Sequence, residues 1–257
     1  MYLGIDIGSS SSKAAIMDSN RKLVAVKVVN MGTGTTGADE AVDDALETAR
    51  ITLNEVEYIV ATGYGRLKYD KANIQITEIS CHAKGVKYLV PEADTVIDIG
   101  GQDAKVIKLT DGGQVENFVM NEKCAAGTGR FLEVMSRVLN STLDELSALA
   151  EQSEKEVPIS SVCTVFAESE VISSLAAGES REDVARGANM AIAKRVAGMA
   201  KRVGIGKYVV MSGGVALNRN MVQAMGEALE QNITAVPDCQ AAGAIGAALF
   251  AYEKCNK

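Results

Sequence analysis

Two cysteines stand in matched settings between Asn121 and Glu170. Cys124 lies in Asn121-Glu-Lys-Cys124-Ala-Ala-Gly-Thr-Gly-Arg130, ahead of a helix-like run from Phe131 to Leu139. Cys163 lies in Ser160-Ser-Val-Cys163-Thr-Val-Phe-Ala-Glu168, ahead of a second such run from Val165 to Ala177. A helix start offers unpaired N–H groups and the positive end of the helix dipole. That setting favours the thiolate, the form that binds a soft metal ion. Two thiolates fill only part of a four-thiolate iron–sulfur site. A second copy of the chain across a two-fold axis would supply the rest. The same residues also read as two core cysteines that precede helices, because free cysteine is commonly buried.

A second set of candidate residues occurs twice. Ile5-Asp6-Ile7-Gly8 recurs as Ile97-Asp98-Ile99-Gly100, and the same offset carries Lys13 onto Lys105. Each copy reads as strand, small-residue turn, strand, which marks an internal duplication. The turns are Gly8-Ser9-Ser10-Ser11-Ser12, followed by Lys13, and Gly100-Gly101-Gln102-Asp103. Glycine and hydroxyl residues let backbone N–H groups approach phosphate oxygens. Asp6 and Asp98, at strand ends, suit a hydrated Mg²⁺. Read singly, either copy is an ordinary hairpin with Asp as a turn former. Read as a pair facing each other, the two grip a triphosphate.

Two other glycine patterns were weighed. Gly32-Thr-Gly34-Thr-Thr-Gly37 matches the letters of a dinucleotide fingerprint, but the strand before it follows two hairpin-linked strands and is expected antiparallel, whereas the fingerprint needs a parallel βαβ unit. A P-loop is absent, because Gly8 to Lys13 lacks the second glycine. Gly213-Gly214 follows a buried strand, Tyr208 to Ser212. It reads either as a floor for an adenine ring or as a plain strand-to-helix turn.

The elements that must position these groups follow from periodicity and turn residues. Strands are expected at Leu3–Ile7, Lys13–Met17, Leu23–Val29, Tyr58–Ala61, Val96–Ile99, Lys105–Leu109, Val115–Met120, Tyr208–Ser212 and Thr234–Val236. Helices are expected at Ala38–Arg50, Glu78–Val90, and after capping-box starts at Thr142-Leu-Asp-Glu145 and Ser180-Arg-Glu-Asp183. The last helix follows Pro237-Asp-Cys-Gln240 and is rich in Ala and Gly. His82, alone on its helix, reads as structural.

Composition bounds the function. The chain has 257 residues, 47% of them apolar and 23% charged, with a formal net charge of -7. That balance and the lack of a basic run argue against nucleic acid or an anionic membrane as partner. The longest nearly apolar run, Ala241 to Tyr252, is too short to span a bilayer. No signal peptide is evident, and five scattered cysteines do not form a disulfide framework. A reducing cytoplasm is the expected compartment.

Gly4-Ile-Asp-Ile-Gly8, Ile97-Asp-Ile-Gly-Gly101 and Met211-Ser-Gly-Gly214 resemble the phosphate-1, phosphate-2 and adenosine motifs of the actin, Hsp70 and sugar-kinase superfamily. Lys123-Cys124-Ala-Ala-Gly-Thr-Gly-Arg-Phe131 and Cys163-Thr-Val-Phe-Ala-Glu-Ser-Glu170 narrow the likeness to the BadF/BadG-type ATPases, and within them to the activators of 2-hydroxyacyl-CoA dehydratases. The ATPase subunits of benzoyl-CoA reductase are similar at a greater distance. The resemblance implies an α/β fold of two duplicated, ribonuclease-H-like lobes with ATP in the cleft. Residues 1–91 would form lobe I, with helix 241–257 packing back on it, and residues 92–240 lobe II. It implies a homodimer sharing one [4Fe-4S] cluster on Cys124 and Cys163 of each chain. It further implies a ferredoxin- or flavodoxin-type electron donor and a separate 2-hydroxyacyl-CoA dehydratase as acceptor. Gln240 would border the nucleoside with Gly213 and Gly214, and Gln102 or Asp103 would orient the attacking water. An amino-sugar kinase or a nucleotide-gated scaffold of the same superfamily would not need the paired cysteines. Cys81, Cys239 and Cys255 have no assigned role.

Overall fold

The computed structural model describes residues 1–160 and 163–256. Ser161 and Val162 of the second cysteine motif, and Lys257 at the end of the expected last helix, lie outside the described residues. Two compact units form. One comprises Met1–Asp94, Leu109–Glu116 and Val236–Lys257, the other Thr95–Lys108 and Asn117–Ala235.

The first unit is built on a sheet of β1 (Tyr2–Ile7), β2 (Ser12–Met17), β3 (Leu23–Val29), β4 (Tyr58–Thr62) and β5 (Ile74–Gln75), in the order β3-β2-β1-β4-β5. β1 runs antiparallel to β2 and parallel to β4, and β3 is antiparallel to β2 as expected. Successive side chains leave opposite faces of a strand. Leu3, Ile5 and Ile7 therefore join Ala41, Val42, Ala45 and Leu46 of α1 (Gly37–Ala49) in one core. Tyr2 joins Ala244, Ala247 and Ala248 of α8 (Ala242–Cys255) in the other. With both faces covered, β1 reads as a nearly continuous apolar run rather than an alternating one. Leu3 and Ile5 are fully buried, and each such side chain stabilises by about 1.5–3 kcal/mol.

The small residues of α8 have a geometric cause. α8 packs on β1 and β4 with one side and on α2 (Glu78–Leu89) with the other. A Cβ on Gly4 would run into the α8 backbone at Ala244, Ala247 and Ala248. A Cβ on Gly246 would lie 2.6 Å from the Cys81 carbonyl carbon and 2.9 Å from the Gly85 nitrogen. Backbone meets backbone on both sides of the helix, and there is room for little but hydrogen.

The second unit repeats the plan. β6 (Thr95–Ile99), β7 (Ala104–Leu109), β8 (Val115–Asn121), β9 (Val209–Ser212) and β10 (Thr234–Ala235) form a sheet in the order β10-β9-β6-β7-β8. β6 is antiparallel to β7 and parallel to β9, as β1 is to β2 and β4. The duplication thus covers the strand order of a whole sheet, not only the two turns. Around it lie α3 (Gly129–Val138), α4 (Leu143–Glu151), α5 (Thr164–Ala176), α6 (Arg181–Val203) and α7 (Arg219–Leu229). The 23-residue α6 packs against each of the other four.

The expected cap at Thr142 is complete: its hydroxyl accepts from the Glu145 N–H, and Glu145 Oε2 accepts from the Thr142 N–H at 2.8 Å. The cap at Ser180 is half of what was expected. Its hydroxyl accepts from the Asp183 N–H at 3.1 Å, but the Asp183 carboxylate accepts from the N–H groups of Glu154 and Lys155 instead. Asp is one carbon shorter than the Glu of a full box, and here it ties down the preceding loop. α7 and β5 were not foreseen. Asn218 caps α7 by accepting from the Met221 N–H, and β5 has only two residues.

The close approach of α8 makes a specific prediction. Gly246→Ala is expected to lower unfolding free energy by about 1–3 kcal/mol, the usual range for overpacking. Gly198→Ala, in the interior of α6 with open space around it, is expected to be neutral or to stabilise by about 0.5–1 kcal/mol through helix propensity. Urea denaturation of the two variants beside the parent checks this. Equal effects at both positions would refute the packing argument.

Candidate nucleotide turns and cluster ligands

In the first unit Asp6 is the last buried polar residue of β1, 5% exposed, and its partner across the β1–β2 ladder is Lys13. The Lys13 Nζ lies 3.9 Å from Asp6 Oδ2. The turn between them is closed by the Gly8 N–H donating to the Ser11 carbonyl at 3.0 Å. Ser9, Ser10 and Ser11 are at least partly exposed, while Ser12 is buried and donates its hydroxyl to the Met31 carbonyl at 2.8 Å. The hydroxyl of Ser12 is thereby committed to holding the loop after β3.

That loop contains the glycine pattern set aside as a dinucleotide fingerprint, and its glycines have another use. A Cβ on Gly32 would overlap the Ser9 carbonyl and lie 2.7 Å from the Ser10 nitrogen. The Thr33 N–H donates to the Gly8 carbonyl at 2.9 Å. The segment buttresses the serine turn from behind.

In the second unit Asp98 and Lys105 are again ladder partners, and here the pair is closed. Lys105 Nζ lies 3.0 Å from Asp98 Oδ2 and 2.6 Å from Asp103 Oδ2. The Ser212 hydroxyl donates to Asp98 Oδ1 at 2.7 Å. Asp98 and Lys105 are almost wholly buried, and charges so placed persist only when paired and hydrogen-bonded. The turn is closed by the Gly100 N–H donating to the Asp103 carbonyl at 2.9 Å, and a Cβ on Gly100 would strike Asp103 Oδ1. Gln102 is exposed.

The same turn anchors the cysteine segment. The first two amides of α3, those of Gly129 and Arg130, donate to the carbonyls of Gly100 and Gly101 at 2.8 and 2.7 Å. Upstream, Asn121 clamps the Cys124 loop. Its side-chain amide donates to the carbonyls of Cys124 and Ala126 at 2.8 and 3.1 Å, and its Oδ1 accepts from the Cys124 N–H at 3.3 Å. Cys124 therefore sits in a clamped loop some residues before α3, whose N-cap is Thr128, rather than at the helix start itself. Cys163 is the N-cap of α5, and α5 packs against α3. Both thiols are partly exposed. By contrast, burial pushes the Cys81 thiol up to about 12, so it stays protonated and is a poor ligand; Cys239 is also buried.

The structure gathers the predicted residues into sets. Asp6 and Gly8 to Lys13 form one. Asp98 and Gly100 to Asp103 form another, with Gly213 beside it: a Cβ on Gly213, at φ +86, would overlap the Ile99 carbonyl. Gly214 opens a short 3-10 turn after it. Gln240 stands in the turn before α8, three residues before Gly243, which faces Asp6.

Sequence reading missed Thr62-Gly63, the counterpart of Ser212-Gly213. Gly63, at φ +87, is placed against the Ile7 carbonyl and Asp6 Oδ1 as Gly213 is against Ile99. Thr62 pairs with Asp6 across β1–β4, and Ser212 with Asp98 across β6–β9. A hydroxyl-glycine pair closing the next parallel strand was the available signal.

The profile of the BadF/BadG/BcrA/BcrD ATPase family matches residues 3–251. The activator of lactoyl-CoA dehydratase of Anaerotignum propionicum is 54% identical over the full length of both chains. The structure of the activator of the 2-hydroxyisocaproyl-CoA dehydratase from Clostridium difficile with bound ADPNP superposes with a TM-score of 0.96 at 46% identity, covering 100% of this chain and 96% of that one. A ROK family glucokinase from Streptomyces griseus, at 14% identity and a TM-score of 0.61 over 98% and 99% of the two chains, shares the fold alone. With duplicated sheets, twin Asp–Lys turns and a match from β1 into α8, the chain belongs to the BadF/BadG/BcrA/BcrD ATPase family.

Proposed function

We propose that this protein hydrolyses ATP to drive one-electron transfer to a separate 2-hydroxyacyl-CoA dehydratase. The observation that carries this reading is the hydrogen-bonded link from the Gly100–Gly101 turn to α3 and the clamped Cys124 loop. It joins a phosphate-type turn to a candidate metal ligand within one unit.

The residues present suit the groups this reading needs. Glycines whose Cβ would collide with backbone or with a carboxylate flank both turns, which leaves amides open to phosphate oxygens. Asp6 and Asp98 are placed to accept hydrogen bonds from water on a nucleotide-bound Mg²⁺. Gly213, Gly214 and Gln240 would border the nucleoside. Cys124 and Cys163 are thiols, a donor type suited to iron–sulfur clusters, and four ligands would take both from two chains. Val165 and Phe166, beside Cys163, are 67% and 73% exposed, apolar surface that a second chain would cover. A [4Fe-4S] cluster so held supplies one-electron transfer, received from a ferredoxin- or flavodoxin-type donor.

Between the two candidates for orienting the attacking water, the geometry favours Gln102. One Asp103 oxygen is on Lys105 and the other abuts Gly100, whereas Gln102 is exposed. Dehydration of the acyl-CoA belongs to the partner enzyme. No helix among the described residues is long and apolar enough to cross a membrane, which accords with a cytoplasmic activator.

Gln102→Ala is expected to lower the kcat of ATP hydrolysis about 100-fold while ATP affinity stays within about threefold, since it removes an orienting group and not a binding one. Asp6→Ala is expected to abolish Mg-dependent ATP binding. Steady-state kinetics and calorimetry check both; unchanged kcat in the first variant would shift the role to Asp103.

The parent, purified without oxygen, is expected to be an iron-containing dimer that activates a 2-hydroxyacyl-CoA dehydratase in an ATP-dependent manner. Cys124→Ser or Cys163→Ser should lose most iron, loosen the dimer and fail to activate, because shared metal binding supplies association energy. Cys81→Ser, Cys239→Ser and Cys255→Ser should keep parental iron. Iron and sulfide analysis with light scattering reads the result. An iron-free parent, or dehydration by this chain alone, would overturn the proposal.

A further inference from the structure

The two copies of the repeat do not hold their carboxylates alike. Asp98 is enclosed by Lys105 Nζ at 3.0 Å and the Ser212 hydroxyl at 2.7 Å. At the matching positions around Asp6, Lys13 Nζ stands off at 3.9 Å. The buried Thr62 hydroxyl makes no hydrogen bond. Yet Asp6 is also buried, and a carboxylate that must meet a hydrated cation needs a defined orientation.

The remaining neighbours of Asp6 are Gly63, Gly243 and His82. A Cβ on Gly63 would strike Asp6 Oδ1. A Cβ on Gly243 would lie 2.8 Å from Asp6 Oδ2 and 3.0 Å from His82 Nε2. The α-carbon of Gly243 thus fills a notch with a carboxylate oxygen on one side and an imidazole nitrogen on the other. His82 is the sole histidine of the chain and is 5% exposed. It lies on the buried face of α2, beside Ile79, Cys81, Ala83 and Val86. A polar ring left unsatisfied in such a place would cost about 1–3 kcal/mol, so its direction toward a carboxylate is informative.

We propose that His82 is a positioning residue for Asp6. Its Nε2 and Lys13 Nζ flank the same oxygen, Oδ2, and together they set the plane in which Asp6 meets the hydrated Mg²⁺ of bound nucleotide. The first repeat thereby uses a histidine from a helix where the second uses a serine from the adjoining strand. This proposal rests on the ATP reading above.

The test is calorimetric titration of ATP into the full-length, anaerobically purified protein at graded Mg²⁺ and in EDTA. His82→Leu is expected to raise the Mg²⁺ concentration for half-maximal tight binding about tenfold, the usual penalty for losing a group that orients a metal-site residue. ATP affinity in EDTA and the melting temperature should stay at the parental values. His82→Gln, which keeps an N–H donor of similar reach, should restore most of the Mg²⁺ dependence. If the Leu variant does not fold, His82→Asn, whose amide is too short, takes its place beside the Gln variant. A parental Mg²⁺ dependence in the Leu or Asn variant overturns the proposal. So does an equal loss of affinity in EDTA, which would mark a purely structural residue. A parent that binds no ATP at any Mg²⁺ concentration would instead defeat the nucleotide reading itself.

Discussion

A carboxylate buried at the end of a central strand has to be paired, and each unit solves this with a lysine across the hairpin ladder. The pairing decides much of what surrounds it. The lysine must sit at the register position opposite the aspartate, so the turn between them has a set length. The turn then closes on itself through one backbone hydrogen bond, from Gly8 to Ser11 or from Gly100 to Asp103. The residues flanking the carboxylate must be small, which places Gly63, Gly213 and Gly243. Where the lysine is closest, around Asp98, the charge is balanced locally. Where it stands off, around Asp6, the environment is completed from a helix.

The turn of the second unit does more than close. Its carbonyls at Gly100 and Gly101 receive the first two amides of α3, groups that every helix leaves unsatisfied by its own backbone. A shift of that turn would be felt by α3 directly, and through Asn121 and the Cys124 loop by a thiol. α5, capped by Cys163, lies against α3. The coupling this family membership calls for has a short covalent and hydrogen-bonded route, with no need for a long relay of side chains.

Close backbone packing explains residue choices that composition only hints at. α8 is rich in Ala and Gly because it lies between β1 and α2 with backbone contact on both sides. The glycines from Gly32 to Gly37 match a nucleotide fingerprint in letters, yet Gly32 serves to lie against the serine turn. The same residue type answers a ligand in one setting and a neighbouring peptide plane in the other, and the letters alone do not separate them.

The order of strands and helices, the duplicated Asp–Lys turns and the two cysteine motifs were legible in the sequence, because they rest on local causes: apolar periodicity, turn chemistry and identity at a fixed offset. Gly63 and Thr62 could have been read by extending the repeat to the next parallel strand. Other features depend on contacts between residues far apart in the chain. That the Asp183 carboxylate ties the 154–155 backbone, that α3 docks on Gly100 and Gly101, and that His82 and Gly243 converge on Asp6 were decided by tertiary structure. No local pattern encodes them, since each arises only when separate elements are packed at a set distance, and a lone buried histidine looks the same in sequence whether it faces a leucine or a carboxylate.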